Sequence, residues 1–133
     1  MKALLALGIG GLLLAGCAAH PTQPESDQEY RVEWVGPRPL VGHSHVSMTF
    51  DGEGRAFGNA GCNHWFATYR MEGDKLTFGQ PGSTMRACAP AVMEQEQRFL
   101  KLLGSVQRWD ITEKGELRLW PETGRAIRMW PVD

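Results

Sequence analysis

The sequence predicts a mainly β, α+β fold: a small antiparallel barrel-like sheet of hairpins with one packed α-helix at about residues 90–103. Three observations predict it. Beyond residue 30, short stretches alternate apolar and polar side chains, the period of a strand with one buried face. Turn sequences such as Asp51-Gly52-Glu53-Gly54, Glu72-Gly73-Asp74 and Glu113-Lys114-Gly115 separate them at hairpin spacing. Residues 90–103 alone lack turn residues after their opening proline and carry apolar side chains three and four positions apart.

The amino terminus is organised differently. Lys2 supplies a positive start, residues 3–14 an apolar stretch, and Ala15 and Gly16 the small residues of an export signal over residues 1–16. Three glycines interrupt the stretch. It falls short of the roughly 20 apolar residues that a permanent span requires. Leu14-Ala15-Gly16-Cys17 resembles the bacterial lipobox. That resemblance implies cleavage before Cys17, a covalent lipid on its sulfur and an acylated amino group. One acyl chain of myristoyl length holds a protein only marginally, and two or three make attachment effectively permanent. Ala18 stands where an aspartate would be the inner-membrane retention cue, which favours the outer membrane with the domain facing the periplasm. The other reading of this segment is an ordinary secretory signal with an incidental cysteine.

Residues 17–29 read as the lipidated cysteine and a flexible tether. The run HPTQPESDQE has two prolines and no large apolar side chain, so it cannot build a core. About ten flexible residues span roughly 15–20 Å. The domain then occupies residues 30–133. Residues 30–35 make a first strand, and 45–50 (HVSMTF) pair through the Asp51–Gly54 turn with a strand from Arg55. Residues 66–71 and 75–78 flank the Gly73 turn. Residues 106–112 and 116–120 form a third hairpin, and Pro121-Glu122-Thr123-Gly124 turns the chain into 125–130. In the helix, Pro90 suits the first turn, Gly104 ends it, and Val92, Met93, Phe99, Leu100 and Leu103 supply a stripe that a sheet or barrel mouth must cover.

Composition narrows the function. The chain has 14 Lys and Arg, one of them in the signal, against 15 Asp and Glu, with no basic block. Nucleic-acid binding draws on clustered cations, so it is not expected. With Cys17 assigned to lipid, Cys62 and Cys88 are an obvious pair in an oxidising compartment. A disulfide closing a loop of this size stabilises by roughly 3–4 kcal/mol in the chain-entropy model.

The motifs carry a second resemblance. Gly58-Asn59-Ala60-Gly61-Cys62-Asn63 resembles the G-x-x-G-C-N signature of the META (HslJ-like) domain family. Thr84-Met85-Arg86-Ala87-Cys88 is similar to its T-x-x-x-C element. Tyr69, Leu76, Phe78, Glu96, Phe99-Leu100 and Leu117-Arg118-Leu119 follow in family order. The resemblance implies a small β-barrel-like sheet with one helix and an envelope protein or lipoprotein linked to stress or antibiotic tolerance. It brings no catalytic residues and no cofactor beyond the lipid on Cys17. The partners expected are the membrane, through that anchor, and an envelope protein.

Individual residues allow sharper readings. Gly58 and Gly61 permit a bulge or close backbone approach beside Cys62, while Asn63 and Thr84 bond local backbone groups there. Without a P-loop lysine, the glycines do not make a phosphate cradle. A Cys62 thiol with His64 as base would need an orienting third group. His43 and His45, with His64 or Met48, could hold a metal only with a third ligand at suitable distance. Glu94, Glu96 and Arg98 read as a solvated helix face, with an inward hydrogen bond from Glu96 as the alternative. Trp120-Pro121 and Trp130-Pro131 both end strands, which suggests an aromatic cluster at one barrel end. The barrel interior, if hollow, would suit a small ligand or acyl chain.

Overall fold

The computed structural model describes residues 22–133, with residues 10–12 and 16. The lipidation position Cys17 and the export segment apart from residues 10–12 and 16 lie outside the described residues. The strands are β1 Glu29–Val35, β2 Arg38–Pro39, β3 His45–Phe50, β4 Arg55–Gly61, β5 His64–Glu72, β6 Lys75–Phe78, β7 Gly82–Ser83, β8 Val106–Ile111, β9 Leu117–Pro121 and β10 Ile127–Pro131. The helix α1 spans Pro90–Leu103, between β7 and β8. Eight strands close into an antiparallel barrel in the order β1-β3-β4-β5-β6-β8-β9-β10, and β10 returns to β1. Two short strands lie off this ring: β2 pairs with β1, and β7 extends along β5. The seam sets Tyr30 opposite Pro131 and Val35 opposite Ile127, with an irregularity between Val32 and Trp34.

Alternation along the strands decides which side chains enter the barrel. Val32, Val46, Met48, Ala56, Leu76, Leu117, Leu119, Ile127 and Met129 are fully buried. Each large apolar side chain so placed contributes about 1.5–3 kcal/mol. The interior is therefore packed with side chains. This corrects the reading of it as a hollow for a ligand or acyl chain, since its inward positions carry large residues where a carrier needs small ones. The 620 Å³ cleft formed by Phe50, Tyr69, Met71, Asp74 and Trp109 with Gln23, Pro24 and Ser26 opens at the barrel's rim instead.

One barrel end is closed by α1. Its helical stripe drives Phe99 and Leu103 into the core, and the Phe99 ring meets Trp65 edge-on at 5.6 Å. Trp65 is itself fixed by its indole N–H, which donates to the Ser47 carbonyl at 3.0 Å. Pro90 opens the helix, while Gly104 ends it in a right-handed conformation, its N–H bonded to carbonyls of the last turn.

At the opposite end, residues 22–28 belong to the folded unit. Pro24 is buried, the Asp27 N–H donates to the Phe50 carbonyl at 2.7 Å, and the Glu25 N–H donates to the Tyr30 hydroxyl at 3.1 Å. A stretch that composition marks as a spacer is held by two backbone N–H donors and one buried proline, which need no apolar run. The tryptophans also differ from expectation. Antiparallel β9 and β10 place Trp120 at the helix end and Trp130 at the other, so the two Trp-Pro pairs do not gather.

The outer face of β8–β10 and β1 is a lattice of charge and indole. Arg118 forms a two-pronged pair with Asp110, each contact 2.7 Å, and Arg128 pairs with Glu116 at 3.0 and 3.1 Å. Arg108 and Arg118 lie over the Trp120 ring, and Arg128 over Trp34. Burial alone would raise the Asp110 carboxyl. Hydrogen bonds from Arg118 and Trp120, with the Arg118 and Arg108 charges, outweigh it and hold the group below the usual carboxylate range. Such a group adds stability above its unfolded value and loses it as pH falls through the folded one. The melting-temperature gap between wild type and Asp110→Asn is therefore expected to be widest near neutral pH and to narrow in acid. A gap constant across that range would contradict the pairing.

Candidate functional site

The motif residues converge where α1 meets the barrel. Gly61 leaves β4 with φ of +119°, a conformation that favours glycine, and swings Cys62 and Asn63 under the helix. The Asn63 carbonyl accepts from the Ala60 N–H at 2.7 Å and closes the turn. Gly58 lies one strand-width from Ser47, so close that an added Cβ would overlap the Ser47 carbonyl. That approach lets the same carbonyl receive the Trp65 indole, while the Ser47 hydroxyl accepts from the Asn59 N–H at 3.0 Å.

Glu96 descends from α1 into the turn. One carboxylate oxygen accepts the N–H groups of Cys62 and Asn63 at 3.2 and 2.7 Å; the other accepts the Asn63 side-chain amide at 2.8 Å. Asn63 spends its remaining capacity on the segment before α1. Its amide donates to the Arg86 carbonyl at 3.0 Å, and its oxygen accepts from the Arg86 N–H at 2.6 Å and the Thr84 hydroxyl at 3.0 Å. The Thr84 hydroxyl in turn accepts from the His64 N–H at 3.1 Å. The Cys62–Cys88 disulfide, with Cα atoms 5.9 Å apart, ties the same two segments covalently. Gly58, Gly61, Cys62, Asn63, Thr84, Cys88 and Glu96 thus form one corner.

Glu96 is 1% exposed, which corrects its placement on a solvated helix face and agrees with the alternative of an inward hydrogen bond. Glu94 is exposed and Arg98 half-buried. The neighbouring Gln95, also fully buried, had no place in the sequence-based reading. Its oxygen accepts the Val41 N–H at 2.7 Å and its amide donates to Ser44 at 2.8 Å, so it holds a second loop as Glu96 holds the first. Both residues share the stripe of Phe99 and Leu103, a position visible in the spacing but concealed by polarity.

The corner offers little reactivity. Both sulfurs are bonded to each other, so Cys62 has no free thiol for His64 to activate. The Thr84 hydroxyl donates to an amide oxygen rather than to a base. His43 lies in a loop and Met48 in the core. Among the described residues no group of three His, Cys, Asp or Glu side chains is placed to hold a metal ion. Its chemistry is that of a clasp between helix and barrel.

The molecule so defined is a small disulfide-stapled β-barrel closed at one end by a polar-clasped helix. The profile of the META domain matches residues 23–133, and the chain belongs to that family. Two solved structures are similar in fold. One is an NMR structure of a protein from Burkholderia xenovorans, with a TM-score of 0.68 and 21% identity over 80% of this chain and 83% of that one. The other, also determined by NMR, has a TM-score of 0.63 and 18% identity over 79% of this chain and 89% of that one. A search among curated proteins returned no match.

Two substitutions test the clasp. Glu96→Gln keeps the shape but must turn an NH₂ either toward the Asn63 amide or toward two backbone donors. A buried donor left without an acceptor costs about 1–3 kcal/mol, so a drop of that size is expected in denaturant unfolding. Gly58→Ala is expected to destabilise by about 1–3 kcal/mol through overpacking against Ser47. Wild-type midpoints for both would refute this account of the corner.

Proposed function

We propose that the protein is a non-enzymatic envelope lipoprotein, anchored in the outer membrane through acyl chains on Cys17, with its META domain in the periplasm. It acts by binding an envelope protein, or by supporting assembly, under stress such as antibiotic exposure. The observation that carries this reading is the closed motif corner: the polar groups of Asn63, Thr84 and Glu96 are consumed in joining helix to barrel. A site for turnover needs convergent groups free to meet a substrate. The lipobox-like Leu14–Cys17 stretch supports the anchor, and a disulfide supports an oxidising compartment. Near-equal numbers of acidic and basic side chains favour a protein or membrane partner over nucleic acid.

Intact-mass analysis of the protein extracted from fractionated membranes tests this. The expected result is a chain beginning at acylated Cys17, recovered with the outer membrane, with Cys62 and Cys88 oxidised. An unprocessed, unacylated amino terminus would overturn the anchor. Turnover abolished by one polar substitution that leaves folding intact would overturn the non-enzymatic role.

A further inference from the structure

The outer surface of β3–β5 and β7 bears exposed large apolar side chains that the corner does not use. Phe57 is 47% exposed and Phe66 57%, directly opposite each other on β4 and β5. Gly82 faces Phe66 across the next strand, where a Cβ would overlap the ring, so the phenyl lies over bare backbone. Thr84 then runs beside His64, and Met85, 96% exposed, follows it. Such a cluster on a small domain marks an interaction surface.

Its strands carry mainly cations, with Asp51 and Glu53 in the turn beside Arg55 and Glu72 beyond Arg70 as the carboxylates at its edge. Arg55 and Arg70 lie along the same outward rows as Phe57 and Phe66. Arg86 adjoins Met85, and His45 and His64 are exposed at the strand ends. No carboxylate occupies β3, β4 or β7, and the one on β5 is Glu72 at its far end. The opposite side is mixed, with Asp110 paired to Arg118 and Glu116 to Arg128. The chain also enters the barrel beside this face. Asp27 bonds Phe50, and Ser26 lies against the site of Gly52, in the turn leading to Arg55. Five peptide units separate Cys17 from Thr22, a reach of about 17 Å.

We propose that this face lies on an anionic lipid surface, with Phe57, Phe66 and Met85 entering the headgroup boundary and Arg55, Arg70 and Arg86 meeting phosphates. Apolar insertion and attraction of cations to anionic lipid add together. The role of the short reach rests on the anchor proposed above; the patch itself does not.

The test uses the mature chain from residue 17 with Cys17→Ser, exported behind a cleavable secretory signal. Every strand, the helix and the disulfide lie within residues 22–133, so this chain keeps the whole fold. Flotation is measured with vesicles of phosphatidylethanolamine and phosphatidylglycerol, and of phosphatidylcholine alone. Expected are binding to the anionic vesicles that weakens with salt, a loss of about tenfold or more in Phe57→Ser/Phe66→Ser, and loss of the anionic preference in Arg55→Gln/Arg70→Gln. Circular dichroism and an intact disulfide confirm that the variants fold. No flotation of the unacylated chain, or equal flotation of the phenylalanine variant, overturns the proposal. So does a dimer in sedimentation that the phenylalanine variant abolishes, which would assign the face to a second copy. Because this chain has no acyl group, its behaviour is independent of whether Cys17 is lipidated in the native protein.

Discussion

The meeting of Glu96 with the Cys62–Asn63 turn is the constraint on which the rest depends. A helix lying across a barrel mouth must satisfy strand-end N–H groups that no neighbouring strand can reach. Buried donors left unpaired are costly. Here one carboxylate takes two of them and orients the Asn63 amide. Asn63 then organises the segment that precedes the helix, and the disulfide lies beside it. Remove the carboxylate and three donors lose their acceptor together. The helix would then be positioned by Gln95, the disulfide and the non-directional contacts of Phe99 and Leu103.

Much of the architecture is legible in the residues because the signals are local. Period-two alternation in residues 45–50 and the Asp51–Gly54 turn specify β3 and β4 without help from distant chain. The helix is equally plain from Pro90, its stripe and Gly104. What escaped are features fixed by tertiary neighbours. The strands β2 and β7 are two residues each and exist only because β1 and β5 offer free edges. The polarity of Gln95 and Glu96 argues for water, and only the loops they meet reverse that. The N-terminal strap is held by its own N–H groups, donating to the Phe50 carbonyl and the Tyr30 hydroxyl, partners that composition does not reveal.

The candidate site divides in the same way. That Gly58, Gly61, Cys62, Asn63, Thr84, Cys88 and Glu96 matter together followed from a family resemblance, whereas their geometry required the fold. Once seen, the geometry assigns them to cohesion. The surfaces left over for recognition are elsewhere: a lattice of arginine and tryptophan on one side, and an aromatic pair with arginines along its strands on the other. Neither announces itself in sequence, because residues such as Phe57 and Phe66 become neighbours only through strand register.

The β1–β10 seam has a consequence for biogenesis. Tyr30 pairs with Pro131, nearly the whole domain apart in sequence. A polypeptide emerging amino end first, from a ribosome or through a secretion channel, cannot seal its cylinder until the final strand is free. The Cys62–Cys88 loop, by contrast, is complete as soon as its own residues emerge. The staple thus needs no residue of the seam, whereas the cylinder closes only through its last strand.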